Sequence, residues 1–82
     1  MPGPTVTVRL SGPLAARLGS RRTVQLPDGA TVEALIAEIA DLAGAGVQAR
    51  GLAAVAGGEF LARDARLADG QQVDVLVPVA GG

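Results

Sequence analysis

One stretch of this chain carries a sustained helical pattern. From Val32 to Ala43, the apolar residues Val32, Leu35, Ile36, Ile39 and Ala43 recur at helical spacing, while Glu33, Ala34, Ala37, Glu38 and Asp41 fall on the other faces. Thr31 stands before it as an N-cap, because its hydroxyl can accept a bond from a free N–H of the first turn. Glu33 complements the positive helix end, and Gly44 and Gly46 stop the helix. A lone amphipathic helix has one apolar stripe and must bury it against a flat apolar surface. The rest of the chain reads as strands, so the expectation is an α+β domain with one helix covering one face of one sheet.

The strands announce themselves by alternation. Thr5-Val6-Thr7-Val8-Arg9-Leu10 puts Val6, Val8 and Leu10 on one face and Thr5, Thr7 and Arg9 on the other. Met1 to Pro4 reads as a loose end before it, and Ser11-Gly12-Pro13 breaks it. Leu14 to Leu18 has room for one helical turn, ended by Gly19. Arg22 to Leu26 alternates again, and Pro27-Asp28-Gly29 is a turn signal. After the helix, Val47 to Gly51 reads as a loop. Leu52 to Val55 is a strand by position more than by composition. Gly57-Gly58 reads as a hairpin turn, since two-residue turns demand positive φ, and Glu59-Phe60-Leu61 as the return strand. A turn within Leu67 to Gln71 leads to the last strand, Val73 to Val77. Pro78 cannot donate to a ladder, so pairing weakens there and Val79 to Gly82 follow as a tail. The element order is β-β-α-β-β-β.

Composition narrows the function. The 82 residues make one domain at most, read as residues 5–77 globular and 78–82 a flexible tail. A chain this short buries only about 60–65% of its unfolded surface. With 49% hydrophobic residues and Phe60 the sole aromatic, its core must be aliphatic. A net charge of −1 with no basic stripe and no stacking platform argues against nucleic acid. No apolar run approaches membrane-spanning length and no signal-peptide core precedes the first strand, so the expectation is a soluble, cytoplasmic protein without membrane partners. The chain has no Cys, His, Tyr, Trp or Lys, which removes the usual nucleophiles and proton shuttles and any metal site with His or Cys ligands. A carrier, binding module or subunit is a better fit than a free-standing enzyme.

VAGG occurs twice, at Val55 to Gly58 and at Val79 to Gly82. The first copy belongs to a turn. The second ends the sequence, and the stretch leading to it, LADGQQVDVLVPVAGG, resembles the end of the small sulfur-carrier proteins. The nearest likeness is the small subunit of molybdopterin synthase, with the thiamine-pathway carrier ThiS a more distant relative. VRLSGPLAARLG is similar to that subunit's first strand and short helix, LPDGATVEALI to its approach to the long helix, and LAAVAGG to its hairpin. The resemblance runs from about Val6 to Gly82. Four places depart from the family pattern. Ala56-Gly57 stands for Asn-Gly at the hairpin, Asp69-Gly70-Gln71 for Asp-Gly-Asp, Val77-Pro78 for Pro-Pro, and Ser11 for a bulky apolar residue after strand one.

The resemblance implies a ubiquitin-like β-grasp fold with a mixed sheet, first and last strands parallel and adjacent, and a projecting tail. It implies a sulfur carrier that binds no cofactor itself. An E1-like adenylating enzyme would use ATP to activate the Gly82 carboxylate, which becomes a thiocarboxylate and donates its sulfur. The acceptor partner would be the large subunit of molybdopterin synthase or an analogous enzyme. Related carriers serve thiamine, cysteine, tRNA and thio-metabolite pathways, and a ubiquitin-like protein modifier would use the same activated tail. A terminal carboxylate is ionised and weakly nucleophilic at neutral pH, so activation is a chemical necessity. Gly81 and Gly82 lack a Cβ and allow close approach, and Ala80, Val79 and Pro78 complete a narrow neck. No internal thiol or lysine competes for the activated end.

Among the remaining candidates, Asp28 and Asp69 precede glycines and read as turn formers. Arg17, Arg21 and Arg22 read as solvated loop charges ahead of contacts to an acidic partner. Leu76 alternates away from Val73 and Val75, and Phe60 either shares its face or plugs the core. In the resembling subunit the matched positions form an apolar patch that docks both partners.

Overall fold

The computed structural model describes residues 3–44 and 46–78. Its elements are β1 (Thr5–Leu10), α1 (Gly12–Leu18), β2 (Arg21–Gln25), α2 (Val32–Ala43), a 3-10 turn η1 (Ala49–Gly51), β3 (Ala53–Ala56), β4 (Glu59–Phe60) and β5 (Gln72–Leu76). The five strands form one sheet in the order β2-β1-β5-β3-β4. β1 pairs antiparallel with β2 and parallel with β5, and β3 pairs antiparallel with both β5 and β4. The sheet is therefore mixed, with the first and last strands side by side at its centre. This is the ubiquitin-like β-grasp architecture.

The helix expected from the apolar spacing forms between the expected bounds, Val32–Ala43. The Thr31 hydroxyl accepts from the Ala34 N–H at 3.4 Å. The N–H groups of Val32 and Glu33 donate instead to the carbonyls of Ala65 at 2.9 Å and Arg63 at 2.8 Å, so the loop after β4 satisfies the first turn. The helix ends at Gly44, whose φ of 87° is a backbone state that side chains avoid. Val6 and Val8 from β1, Val73 and Val75 from β5, and Val32, Leu35, Ile36 and Ile39 from α2 are all 1% exposed or less. Each contributes about 1.5–3 kcal/mol by leaving water. Among the described residues no polar or charged side chain is buried.

Several boundaries differ from the sequence reading. α1 runs seven residues from Gly12, longer than the single turn expected at Leu14. Pro13 sits in its first turn, where a missing N–H costs nothing, and this lets the helix start earlier. β2 begins at Arg21 and not Arg22, because Arg21 pairs with Arg9. The strand expected over Leu52 to Val55 is shifted to Ala53–Ala56, since Leu52 closes η1 and its N–H donates to the Ala49 carbonyl at 3.0 Å. β4 stops at Phe60, and β5 spans Gln72–Leu76, leaving Val77 outside the ladder. The hairpin turn falls on Gly57 and Gly58, at φ 60° and 82°, closed by Ala56 facing Glu59. The glycine pair thus carries the positive φ values expected of it.

Candidate functional site

The sheet has one face covered by α2 and one face open. Strand alternation decides what lies on the open face. Val8 and Leu10, Val73 and Val75, and Ala54 point to the core, so Arg9, Asp74 and Val55 point outward. The register links them into a single rung: Arg21 faces Arg9, Arg9 faces Asp74, Asp74 faces Val55, and Val55 faces Phe60. The Arg9 guanidinium Nε lies 3.7 Å from Asp74 Oδ1, with both side chains about half exposed, at 57% and 44%. Two residues further along β5, Leu76 faces Ala53.

Phe60 is 70% exposed and stands on this outer face, so it does not plug the core. Leu61 packs against the core in its place. Leu76 is half-buried on the outer face, two residues from Asp74 and next to the point where the chain leaves the sheet. Val77, 50% exposed, rims a cleft with Pro13, Leu14, Val47 and Leu52. Pro78 is exposed and is the last described residue. The tail residues Val79, Ala80, Gly81 and Gly82 lie outside the described residues.

The surface therefore holds an apolar group, Leu76, Ala53, Val55 and Phe60, beside a charged group, Arg21, Arg9 and Asp74. Sequence alternation found Leu76 and left Phe60 open. It missed Ala53, Val55, Arg9 and Asp74 as neighbours of these two, because only the register of four strand pairs brings them together. Arg21 belongs to a strand and not to a loop. Arg17 does not share this face. Its Nη1 donates to the carbonyl of Ala43 at 2.7 Å, at the end of α2. Asp69 accepts from the Thr5 N–H at 2.8 Å and holds the start of β1, and Gly29 and Gly70 carry the positive φ of the Asp-Gly turns. Among the described residues no group of three His, Cys, Asp or Glu is placed to hold a metal ion, and no helix is long and apolar enough to cross a membrane.

The sequence pattern of the ThiS family matches residues 8–82. The chain belongs to that family of ubiquitin-fold sulfur carriers. Its structure is similar to a putative molybdopterin converting factor, subunit 1, from Pyrococcus furiosus, with TM-score 0.75 and 26% identity over 94% of this chain and 100% of that one. It is also similar to small archaeal modifier protein 1 of Haloferax volcanii, at TM-score 0.67 and 25% identity over 94% of this chain and 100% of that one. A ubiquitin of Caldiarchaeum subterraneum shares the fold, at TM-score 0.68 and 16% identity over 96% of this chain and 98% of that one. No curated protein matches the chain by sequence.

Proposed function

We propose that the chain is the sulfur-carrying small subunit of a molybdopterin synthase, with Gly82 as its reacting terminus. An E1-like enzyme joins the Gly82 carboxylate to the α-phosphate of ATP, and pyrophosphate leaves. The mixed anhydride makes the carbonyl carbon electrophilic. Hydrosulfide displaces AMP from it directly; from a persulfide, an acyl disulfide forms and a thiol cleaves it. Either route leaves a terminal thiocarboxylate, which delivers sulfur to a small molecule held by the large subunit. The catalytic groups belong to the partners, and this chain supplies the acyl end and the surface that docks it. Phe60 and Leu76 are the apolar contacts of that surface.

The observation that carries this reading is the likeness to the Pyrococcus subunit over 94% of the chain, together with a family match that reaches Gly82. Glycine at positions 81 and 82 suits a carbonyl that must be attacked inside a narrow site, since neither carries a Cβ.

A second reading is favoured by the likeness to the Haloferax modifier at 25% identity. In this reading the chain is a protein modifier, and its activated carboxyl is captured by a lysine of another protein. Co-expression with an adenylating enzyme and a sulfur source, followed by intact mass, separates the two. Exchange of one oxygen for sulfur at Gly82 supports the carrier, and protein adducts support the modifier. An unchanged mass with every adenylating enzyme of the source genome would sink both.

A further inference from the structure

All seven basic residues of this chain are arginine, and folding does not account for that choice everywhere. Arg63 needs its fork, since one guanidinium reaches the carbonyls of Ala49, Arg50 and Leu52 as well as Glu33. Arg21 and Arg66 are exposed and make no hydrogen bond or ion pair among the described residues, so a lysine would hold either place as well. Arg17 is the informative case. It is exposed in the last turn of α1, and its Nη1 donates to the Ala43 carbonyl at 2.7 Å, where α2 ends. A lysine ammonium also bonds helix-end carbonyls and suits the negative helix end. Arg17 lines the same cleft as Val77, the residue that follows β5. Five residue steps separate Val77 from Gly82, which span up to about 16–18 Å when extended. That reach brings the Gly82 carbonyl to the side chain at position 17 without any change in the fold.

The two cations differ in chemistry. Lysine, with a pKa near about 10.4, holds about one amine in a thousand unprotonated near pH 7.4, and that form attacks acyl carbons. Arginine is not deprotonated in proteins and offers no such nucleophile. We infer that position 17 sets the acceptor specificity of the activated terminus: arginine there keeps a cation at the end of α2 without placing an acyl acceptor within reach of Gly82. The inference rests on the reading of Gly82 as the reacting end. With lysine in place of Arg17, the neutral amine attacks the activated carbonyl carbon at the effective concentration of a short flexible link, on the order of millimolar. A C–N bond forms, the leaving group departs with its electron pair, and the amine proton passes to solvent. The chain is then a closed loop with no terminus left to carry sulfur. With arginine, the terminus stays open to hydrosulfide, a persulfide or another protein. The other arginines extend the effect to second copies. No side-chain amine or thiol of one copy captures the activated end of another, so an acceptor protein carries single copies and not chains.

The test needs no partner enzyme. The full chain is prepared with Gly82 as the thioester of a small thiol, as wild type, Arg17→Lys and Arg66→Lys, and followed by intact mass near pH 8. Arg66 lines a cleft with Gly3, Thr5 and Asp69 at the opposite end of the strands, so its variant adds the same amine far from Val77. Arg17→Lys is expected to give a product lighter than the free acid by one water, at a rate independent of protein concentration and about tenfold or more above that of Arg66→Lys. Peptide mapping is expected to place the new amide between position 17 and Gly82. The wild type is expected to give the free acid alone, and all three are expected to share one unfolding midpoint. Cyclisation of the wild type, free acid alone from Arg17→Lys, or equal rates for the two variants would each overturn the inference. Pyrophosphate release by the wild type with the adenylating enzyme of the same genome is measured separately. Its absence would defeat the reading of Gly82, and the thioester comparison would still decide the role of position 17.

Discussion

The Arg63 guanidinium reaches back eleven residues to the carbonyl of Leu52, its Nη2 donating at 2.8 Å. The same nitrogen lies 3.3 Å from the Ala49 carbonyl, and Nη1 lies 3.5 Å from Glu33 Oε2. One side chain therefore ties the turn before β3 to the first turn of α2. Leu52 is 3% exposed, so its backbone needs a partner that water does not supply freely. Arg63→Ala is expected to lower stability by about 1–2 kcal/mol, read by urea unfolding. The ion pair adds little to that figure, because its side chains are 39% and 57% exposed. Glu33→Gln should accordingly change stability far less than Arg63→Ala; equal losses would place the effect in the ion pair.

The hairpin gives a prediction of a different kind. A Cβ added at Gly57 or Gly58 meets nothing within 4 Å, so substitution there tests backbone conformation alone. Gly57 has φ 60°, within reach of asparagine and poor for β-branched residues. Gly57→Asn should leave the thermal midpoint near the wild-type value, whereas Gly57→Val should cost about 1–2 kcal/mol. A neutral Gly57→Val would mean that the turn relaxes to another type.

What the sequence disclosed depended on how local the signal was. α2 was legible to the residue because its cap, periodicity and stop lie within one window from Thr31 to Gly44. Faces were legible wherever alternation was strict, as in Val6, Val8 and Leu10. The strand at Ala53–Ala56 has small side chains and little intrinsic preference, so its bounds came from pairing with β5 and not from its own residues. The parallel contact of β1 with β5 joins residues more than sixty positions apart, and only the family likeness anticipated it. The candidate site divides in the same way. Leu76 followed from alternation, but its company of Ala53, Val55, Arg9 and Asp74 is a property of register, which no single strand encodes. Phe60 was undecided because a two-residue strand has too few positions to show a period.

Phe60 and Leu76 should separate stability from binding. Phe60 is 70% exposed, so Phe60→Ala is expected to shift unfolding by no more than about 0.5 kcal/mol. If it fills a socket in the partner, the same change weakens binding by about 1–3 kcal/mol. Leu76→Ala is expected to cost somewhat more stability, since Leu76 is half-buried, and a similar amount of binding. Titration of each variant against the adenylating enzyme, beside a thermal melt, reads both quantities. Wild-type affinity in both variants would remove the outer sheet face from the docking surface.

Gly82 gives the most direct test of the proposed chemistry. The last ladder pair of β5 is Ala53 with Leu76, six positions before Gly82, and neither Gly81 nor Gly82 has a side chain to pack. Removing Gly82 should therefore leave the unfolding transition where it is. It should abolish formation of the thiocarboxylate, because the new terminal carboxylate on Gly81 is set back by one residue, about 3.3–3.6 Å of extended chain. A displacement of that size removes the carbonyl carbon from attack geometry, where an error of about 1 Å already costs about a hundredfold in rate. Adding an alanine after Gly82 should be as damaging by the same argument, since it moves the terminus forward and puts a Cβ beside the reacting carbon. Both variants should still bind the adenylating enzyme through the sheet face, and so compete with the wild type in a pyrophosphate-release assay. Persistence of sulfur exchange in the truncated chain, measured by intact mass, would show that Gly82 is not the reacting terminus.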